Sequence, residues 1–124
     1  MRYNIGLNED ENWLVSQEGF NNDYLGKTET IMAVGNGYLG ARAANEERNL
    51  GETRNTFIAG VFNQADEHEV TELANVPDVF AFDLTLNDFR FNLNNGKILQ
   101  CIKTLNLRNG EVRRDIIWSM DEHR

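Results

Sequence analysis

Two adjacent carboxylates, Glu46-Glu47, are the first place to look for acid–base chemistry in this chain. Inverting cleavage of a glycoside needs two carboxyls on opposite faces of a sugar, with room for a water between them. Neighbours in sequence project in different directions, so the pair reads better as structural, in a charge-assisted contact with Arg42. His68, His123 and Cys101 are the soft metal ligands, and their spacing fits no zinc pattern, which predicts no metal site. Neither Ser16 nor Ser119 lies in a nucleophile elbow.

Gly35-Asn36-Gly37-Tyr38-Leu39-Gly40 satisfies G-x-G-x-x-G to the letter. A dinucleotide site would need an apolar-striped helix after Gly40 and a second βαβ unit, and the sequence offers neither. The glycines are therefore assigned to a tight turn and a close approach of strands. Trp13, Tyr38, Phe62 and Trp118 present faces that suit a pyranose ring, with at least two of them expected in the core. Tyr38, flanked by glycines, is the one expected to meet another domain.

The elements that would position these groups are mostly strands. Phe80, Phe82, Leu84 and Leu86 alternate along residues 79–86, followed by an Asn87-Asp88 turn and a second alternating run over 89–93. Asn94-Asn95-Gly96 is the next turn, residues 97–107 a third strand, Arg108-Asn109-Gly110 another turn, and residues 111–120 a fourth strand. In that last strand Val112, Arg114, Ile116, Trp118 and Met120 share a face. Four strands joined by three turns predict an antiparallel meander within a mostly β sandwich. Cys101, inside the third strand, reads as an inert core thiol. In the first half, residues 13–15, 30–34 and 56–62 are predicted as short strands. Residues 41–52 are read as a helical turn or polar loop, because they lack an amphipathic stripe.

Composition narrows the partners. The 124 residues hold 20 acidic and 12 basic side chains, for a net charge of −8, and 40% are apolar. Residues 1–62 hold 9 acids and 5 bases; residues 63–89 hold 7 acids and no base; residues 90–124 hold 4 acids and 7 bases. An acidic chain is a poor partner for nucleic acid or an anionic membrane surface. No window is apolar for 18 residues, and no apolar stretch follows the N-terminus, so neither a membrane span nor a secretory leader is expected. One cysteine suits a reducing, cytoplasmic compartment.

A longer series of motifs carries a more specific signal. Glu29-Thr30 precedes the glycine run, Arg42 and Glu46-Glu47 follow it, and then come Thr56-Phe57-Ile58-Ala59-Gly60-Val61-Phe62 and Val70-Thr71-Glu72-Leu73-Ala74-Asn75-Val76-Pro77. In order and spacing this resembles the N-terminal domain of glycoside hydrolase family 65, over about residues 10–120. The likeness is greatest to phosphorylases of the maltose type and their relatives acting on kojibiose, nigerose or trehalose. Ala43 stands where the family usually has Gly, and Val79 where an aromatic is common.

The resemblance implies a partial N-terminal β-sandwich over residues 1–124, cut from a larger supersandwich-type domain. It implies that the catalytic (α/α)6 barrel lies outside this sequence. In such an enzyme a barrel Glu protonates the leaving oxygen while inorganic phosphate, a co-substrate and not a cofactor, attacks from the opposite face. No catalytic residue then falls in this chain. The candidates for family-motif and interdomain roles are Asn36, Gly37, Tyr38, Gly40, Arg42, Glu46, Glu47, Glu72, Asn75 and Pro77. The expected partners are the parent's own barrel and, for the isolated chain, a second copy of itself.

Overall fold

The computed structural model describes residues 2–5 and 11–120, and His123 lies outside that set. Most of the regular secondary structure is antiparallel strand: β1 (Arg2–Ile5), β2 (Leu14–Glu18), β3 (Val34–Gly35), β4 (Leu39–Ala41), β5 (Thr56–Ile58), β6 (Phe62–Asn63), β7 (Glu72–Leu73), β8 (Thr85–Leu86), β9 (Phe89–Arg90), β10 (Lys97–Asn106) and β11 (Glu111–Ser119). Among the described residues one short α-helix, α1 (Leu25–Ile31), and two 3-10 turns, Glu11–Trp13 and Asn22–Tyr24, interrupt them. The mostly β, antiparallel class agrees with the sequence reading.

The principal sheet has the order β1-β2-β10-β11, and three smaller sheets pair β3-β4-β5, β6-β7 and β8-β9. Only the last hairpin of the expected meander is present in the principal sheet. The second long edge of β10 is taken by β2, from the far end of the chain, with Leu105 opposite Val15 and Thr104 opposite Ser16. Residues 79–84 therefore have no strand to pair with and run as irregular chain, tied down by Phe82 N–H donating to the Glu46 carbonyl (3.1 Å). Their alternation is real, but only Thr85–Leu86 is closed into a hairpin, by Asn87 and Asp88 at φ of 48° and 65°. Paired positive φ values of this kind give the turn the twist that a two-residue hairpin needs.

β10 also changes face partway along. Ile98 pairs with Trp118 and Gln100 with Ile117, so Leu99 is an extra, bulged residue. The bulge brings Ile98, Cys101, Lys103 and Leu105 onto the inner face, against Trp118, Ile116, Arg114 and Val112 of β11. A β-bulge is what lets positions three apart in sequence share a side.

Two further expectations are corrected. Thr30-Ile31 belong to α1 and only Val34 continues as strand. Residues 56–62 are split by a turn at Gly60 (φ 81°) into β5 and the start of β6. Past Ala41, which ends β4, residues 42–52 contain no helix and form a polar loop. That loop lies against the inner face of the principal sheet, taking hydrogen bonds from Lys103 and Arg114, and α1 is tied to the loop through Glu29. The apolar core there is small, with Leu25, Met32, Ala41, Leu93, Cys101 and Leu105 buried. The buried polar and charged residues outnumber them by one: Gln17, Thr28, Glu29, Asn45, Glu47, Thr56 and Lys103.

Candidate functional site

The charged side chains in this interior form one connected cluster. Glu29, on the inward face of α1, is only 1% exposed. Its Oε1 accepts from Thr53 N–H (2.8 Å), its Oε2 accepts from Arg54 N–H (3.1 Å), and Arg42 Nη2 donates to Oε1 (3.3 Å). Burial opposes ionisation of this carboxyl, but the two backbone N–H groups and the Arg42 guanidinium outweigh it and hold the group below its ordinary value.

Arg54 sits at φ 53°, a left-handed backbone that turns its N–H toward Glu29. Its guanidinium meanwhile reaches Glu52 Oε2 (2.7 Å), Asp78 Oδ2 (2.7 Å) and the Asn45 carbonyl. Desolvation of the guanidinium is offset by Glu52 and then Asp78, so its proton is held more firmly than in water. Strained backbone of this kind persists only where the surrounding contacts over-determine it.

The principal sheet contributes Lys103 and Arg114, which face each other across the β10–β11 pair. Two like charges side by side on a buried face are unfavourable unless acids converge on them. Arg114 donates to both oxygens of Glu47, at 2.9 Å and 2.5 Å. Glu46 Oε2 lies 2.5 Å from the same guanidinium but out of hydrogen-bond alignment. Lys103 Nζ donates to the Ala43 carbonyl and to Asn45 Oδ1 (3.1 Å). Burial and then the repulsion of Arg114 push the Lys103 amine down, with Glu46, Glu52 and Glu47 pulling the other way.

These positions place several of the predicted residues differently from expectation. Arg42 does not pair with Glu46 or Glu47; it serves Glu29 and the Gly26 carbonyl (2.9 Å) because it leaves β4 on the side of α1. Glu46 and Glu47 both converge on one guanidinium on β11, so they do not face each other across a sugar-sized gap as a pair of acid–base carboxyls must.

The glycine run makes the β3–β4 hairpin. Asn36 Oδ1 accepts from Tyr38 N–H (3.0 Å) and Leu39 N–H (2.8 Å), Gly37 has φ 85°, and Gly40 lies opposite Gly35. A Cβ on Gly35 would meet the Gly40 Cα at 3.3 Å, so the strands approach closely there. Tyr38, at the tip, is 66% exposed. Asn75 Oδ1 accepts from Thr56 N–H (2.8 Å), and Pro77 leads into Asp78 beside Arg54. Glu72 is exposed in β7, away from the cluster. Of the four aromatics, Trp13, Tyr38 and Phe62 are exposed and Trp118 is half-buried, so none is a fully buried core residue. Cys101 is buried, and desolvation pushes its thiol up, as expected of an inert cysteine.

Sequence reasoning missed Glu52, Arg54, Asp78, Lys103 and Arg114 as members of the cluster. The available signal was Arg114 on a face otherwise made of Val112, Ile116 and Trp118, and Lys103 between Cys101 and Leu105. A charge on an apolar face predicts a buried partner.

Hollows open on the cluster from more than one side. One, of about 220 Å³, lies over Arg42, Arg54, Lys103 and Arg114 with Glu46 and Asp78. Another, of about 450 Å³, is a mainly apolar groove that Glu46, Glu47 and Arg114 also line. Among the described residues no group of three His, Cys, Asp or Glu is placed to hold a metal ion. No helix among them is long and apolar enough to cross a membrane.

Fold and cluster together define an antiparallel β-domain organised around an internal ion-pair network. Residues 15–124 match the family model described as "Glycosyl hydrolase family 65, N-terminal domain". The chain belongs to that family. A kojibiose phosphorylase from Halothermothrix orenii is 45% identical over 116 residues, covering 94% of this chain and 15% of the relative. A kojibiose phosphorylase from Escherichia coli K12 is 36% identical, covering 84% of this chain and 13% of the relative. An alpha,alpha-trehalose phosphorylase from Thermoanaerobacter brockii is 29% identical, covering 87% and 16%. Among solved structures, a putative kojibiose phosphorylase from human microbiome superposes with a TM-score of 0.80 at 22% identity, over 92% of this chain and 17% of that one. The chain thus spans about 15% of the length of the kojibiose phosphorylase it matches at 45% identity.

Proposed function

We propose that this chain is the N-terminal β-domain of a phosphorylase that splits an α-linked glucosyl disaccharide with inorganic phosphate, and that it serves there as scaffold. The observation that carries the reading is the 45% identity to a kojibiose phosphorylase along nearly the whole chain. Kojibiose is favoured over maltose as the parent's substrate because four of the relatives bear that name. The parent reaction inverts the anomeric centre: phosphate forms the new C1–O bond as the glycosidic bond breaks. A carboxylic acid outside this chain protonates the leaving glucose, and the products are β-glucose 1-phosphate and glucose. No cofactor enters.

The domain's own part is to hold its ion-paired interior rigid beneath a catalytic barrel and to shape one rim of it. The exposed Tyr38 hairpin tip suits such a contact. A cytoplasmic setting agrees with a reduced, buried Cys101.

The full polypeptide encoded by the gene should release β-glucose 1-phosphate from kojibiose only when phosphate is present. Release of free glucose without phosphate would make the parent a hydrolase. The 124-residue chain alone should show no turnover and no heat on calorimetric titration with kojibiose or maltose. The exposure of Tyr38 and Phe62 favours, as a second reading, a module that binds sugar by stacking. Millimolar or tighter binding to the isolated chain would establish that reading in place of the scaffold.

A further inference from the structure

Asparagine followed by glycine is the pair most prone to lose its side-chain amide, because glycine has no Cβ to screen its backbone nitrogen from the asparagine Cγ. The chain holds three such pairs: Asn36-Gly37, Asn95-Gly96 and Asn109-Gly110. The reaction needs a side-chain amide free to rotate and a glycine N–H free to react. The fold withholds one or both from two of the three pairs.

Asn36 Oδ1 is held by the N–H groups of Tyr38 (3.0 Å) and Leu39 (2.8 Å), which keeps the amide turned along the β3–β4 hairpin. Asn109 Oδ1 accepts from Glu111 N–H (3.1 Å), and the Gly110 N–H is engaged by the Asn106 carbonyl (2.8 Å). These restraints lie within residues 36–39 and 106–111, so they persist whatever the domain packs against.

Asn95 differs on each count. It is exposed, and among the described residues neither its side-chain amide nor the Gly96 N–H makes a hydrogen bond. Its neighbours are the ones engaged: Asn92 Oδ1 accepts from Asn94 N–H (2.8 Å), and Asn94 Nδ2 donates to Asn49 Oδ1 (3.2 Å). The Asn95 carbonyl accepts from Trp118 Nε1 (2.5 Å). That carbonyl shares a peptide group with the Gly96 nitrogen, so the indole N–H draws charge toward oxygen and eases loss of the Gly96 proton.

We propose that Asn95 is a modification site of this protein, converting to aspartate and isoaspartate through Gly96. Hydroxide takes the Gly96 amide proton, the nitrogen bonds to Asn95 Cγ, and the Cγ–NH2 bond breaks as ammonia leaves with a proton from water. The resulting succinimide is opened by water. Attack at Cγ gives aspartate; attack at the former main-chain carbonyl gives isoaspartate, whose backbone runs through Cβ and Cγ. That second product adds a methylene just before Gly96, where a Cβ would already stand 2.6 Å from the Ser119 carbonyl oxygen. It also turns the acceptor of the Trp118 indole into a free carboxylate. The change is one-way, needs no enzyme, and loosens the start of the β10–β11 pair.

The full polypeptide encoded by the gene, kept folded in mildly alkaline buffer and digested at intervals, reports each pair by mass spectrometry. The Asn95 peptide should be the first to gain the mass of an amide turned to a carboxyl. Asn36 and Asn109 should be slower by about tenfold or more, since each must first break a hydrogen bond. In urea the three should convert at similar rates. Asn95→Gln, which requires a larger ring, should suppress conversion at this position with far-UV circular dichroism unchanged. In the isoaspartate fraction the amides of residues 97–98 and 118–119 should exchange faster. Conversion at Asn36 or Asn109 as fast as at Asn95 would overturn the inference, and so would a folded polypeptide intact at Asn95 under conditions where the unfolded one converts. An isoaspartate fraction with unchanged exchange would overturn the loosening.

Discussion

Separate oxygens of Glu29 accept the N–H groups of Thr53 and Arg54, and that geometry determines what a substitution does. In Glu29→Gln the amide keeps one acceptor but points its NH2 at the second donor, leaving a buried donor unsatisfied and Arg42 without its charge partner. The expected cost is about 2–4 kcal/mol at pH 7, read from urea denaturation. The sign of the pH effect follows from the lowered carboxyl. Stability owed to Glu29 is fully present above its unfolded value of 4.5 and is lost as pH falls through the lower folded value. The gap between wild type and Glu29→Gln should therefore narrow steadily in acid; a gap constant from pH 7 to pH 3 would refute the role given to this carboxylate. Cys101 makes a second residue-level expectation. Buried, with its thiol raised, it should react with a disulfide reagent about 100-fold more slowly in the native chain than in urea.

Turns and hairpins are the elements most exposed to single changes. Gly96 enters β10 at φ 90°, and a Cβ there would sit 2.6 Å from the Ser119 carbonyl oxygen and 3.0 Å from Trp118 Nε1. Gly96→Ala combines a left-handed strain with a backbone clash and should cost about 2 kcal/mol or more. Amides of residues 97–98 and 118–119 should then exchange faster than the rest of the hairpin; uniform exchange would show the junction to be more yielding than its geometry implies. This turn, Asn87-Asp88, Arg108-Asn109-Gly110 and the glycine hairpin were all legible in the sequence, because their chemistry is local. Three features were not. The β2–β10 pairing joins Ser16 to Thr104 across 88 positions (hydroxyl to hydroxyl, 3.1 Å), and no periodicity encodes a partner that distant. The Leu99 bulge shifts the alternation of β10 midway. The helix α1 buries Leu25, Thr28, Glu29 and, just past its end, Met32, at spacings of three and four. Its inward face is half polar, so a search for an apolar stripe passes over it. The candidate site was hidden for the same reason: its members come from α1, the 42–54 loop, Asp78 and two strands, and only tertiary packing assembles them.

At the scale of the whole molecule, the ion-pair cluster is what fastens the principal sheet to the α1 side of the chain. Arg114 is the member through which β11 holds the 42–54 loop, since Glu47 takes two hydrogen bonds from it and Glu46 lies against it. Replacing Arg114 with Met keeps length and packing but strands the buried Glu47 carboxylate and takes the cation from the more exposed Glu46, with Lys103 facing the substituted position across the sheet. Removing one partner of a buried pair costs about 3–5 kcal/mol, against a total of about 5–15 kcal/mol for a domain of ordinary stability. Arg114→Met should therefore leave the chain barely folded at 25 °C, and its urea midpoint should fall by a third or more of the wild-type value. Adding Glu47→Met in the same chain removes the stranded carboxylate and supplies apolar contact in its place. The double variant should recover part of the loss, because a buried ion pair exchanged whole for apolar groups is often close to neutral. Recovery would assign the cluster a role in fixing how loop and sheet meet, with little net stability of its own. A double variant as unstable as, or less stable than, the single one would mean instead that Glu47 stabilises the loop independently of Arg114, and a single variant within 1 kcal/mol of wild type would contradict the fastening role itself.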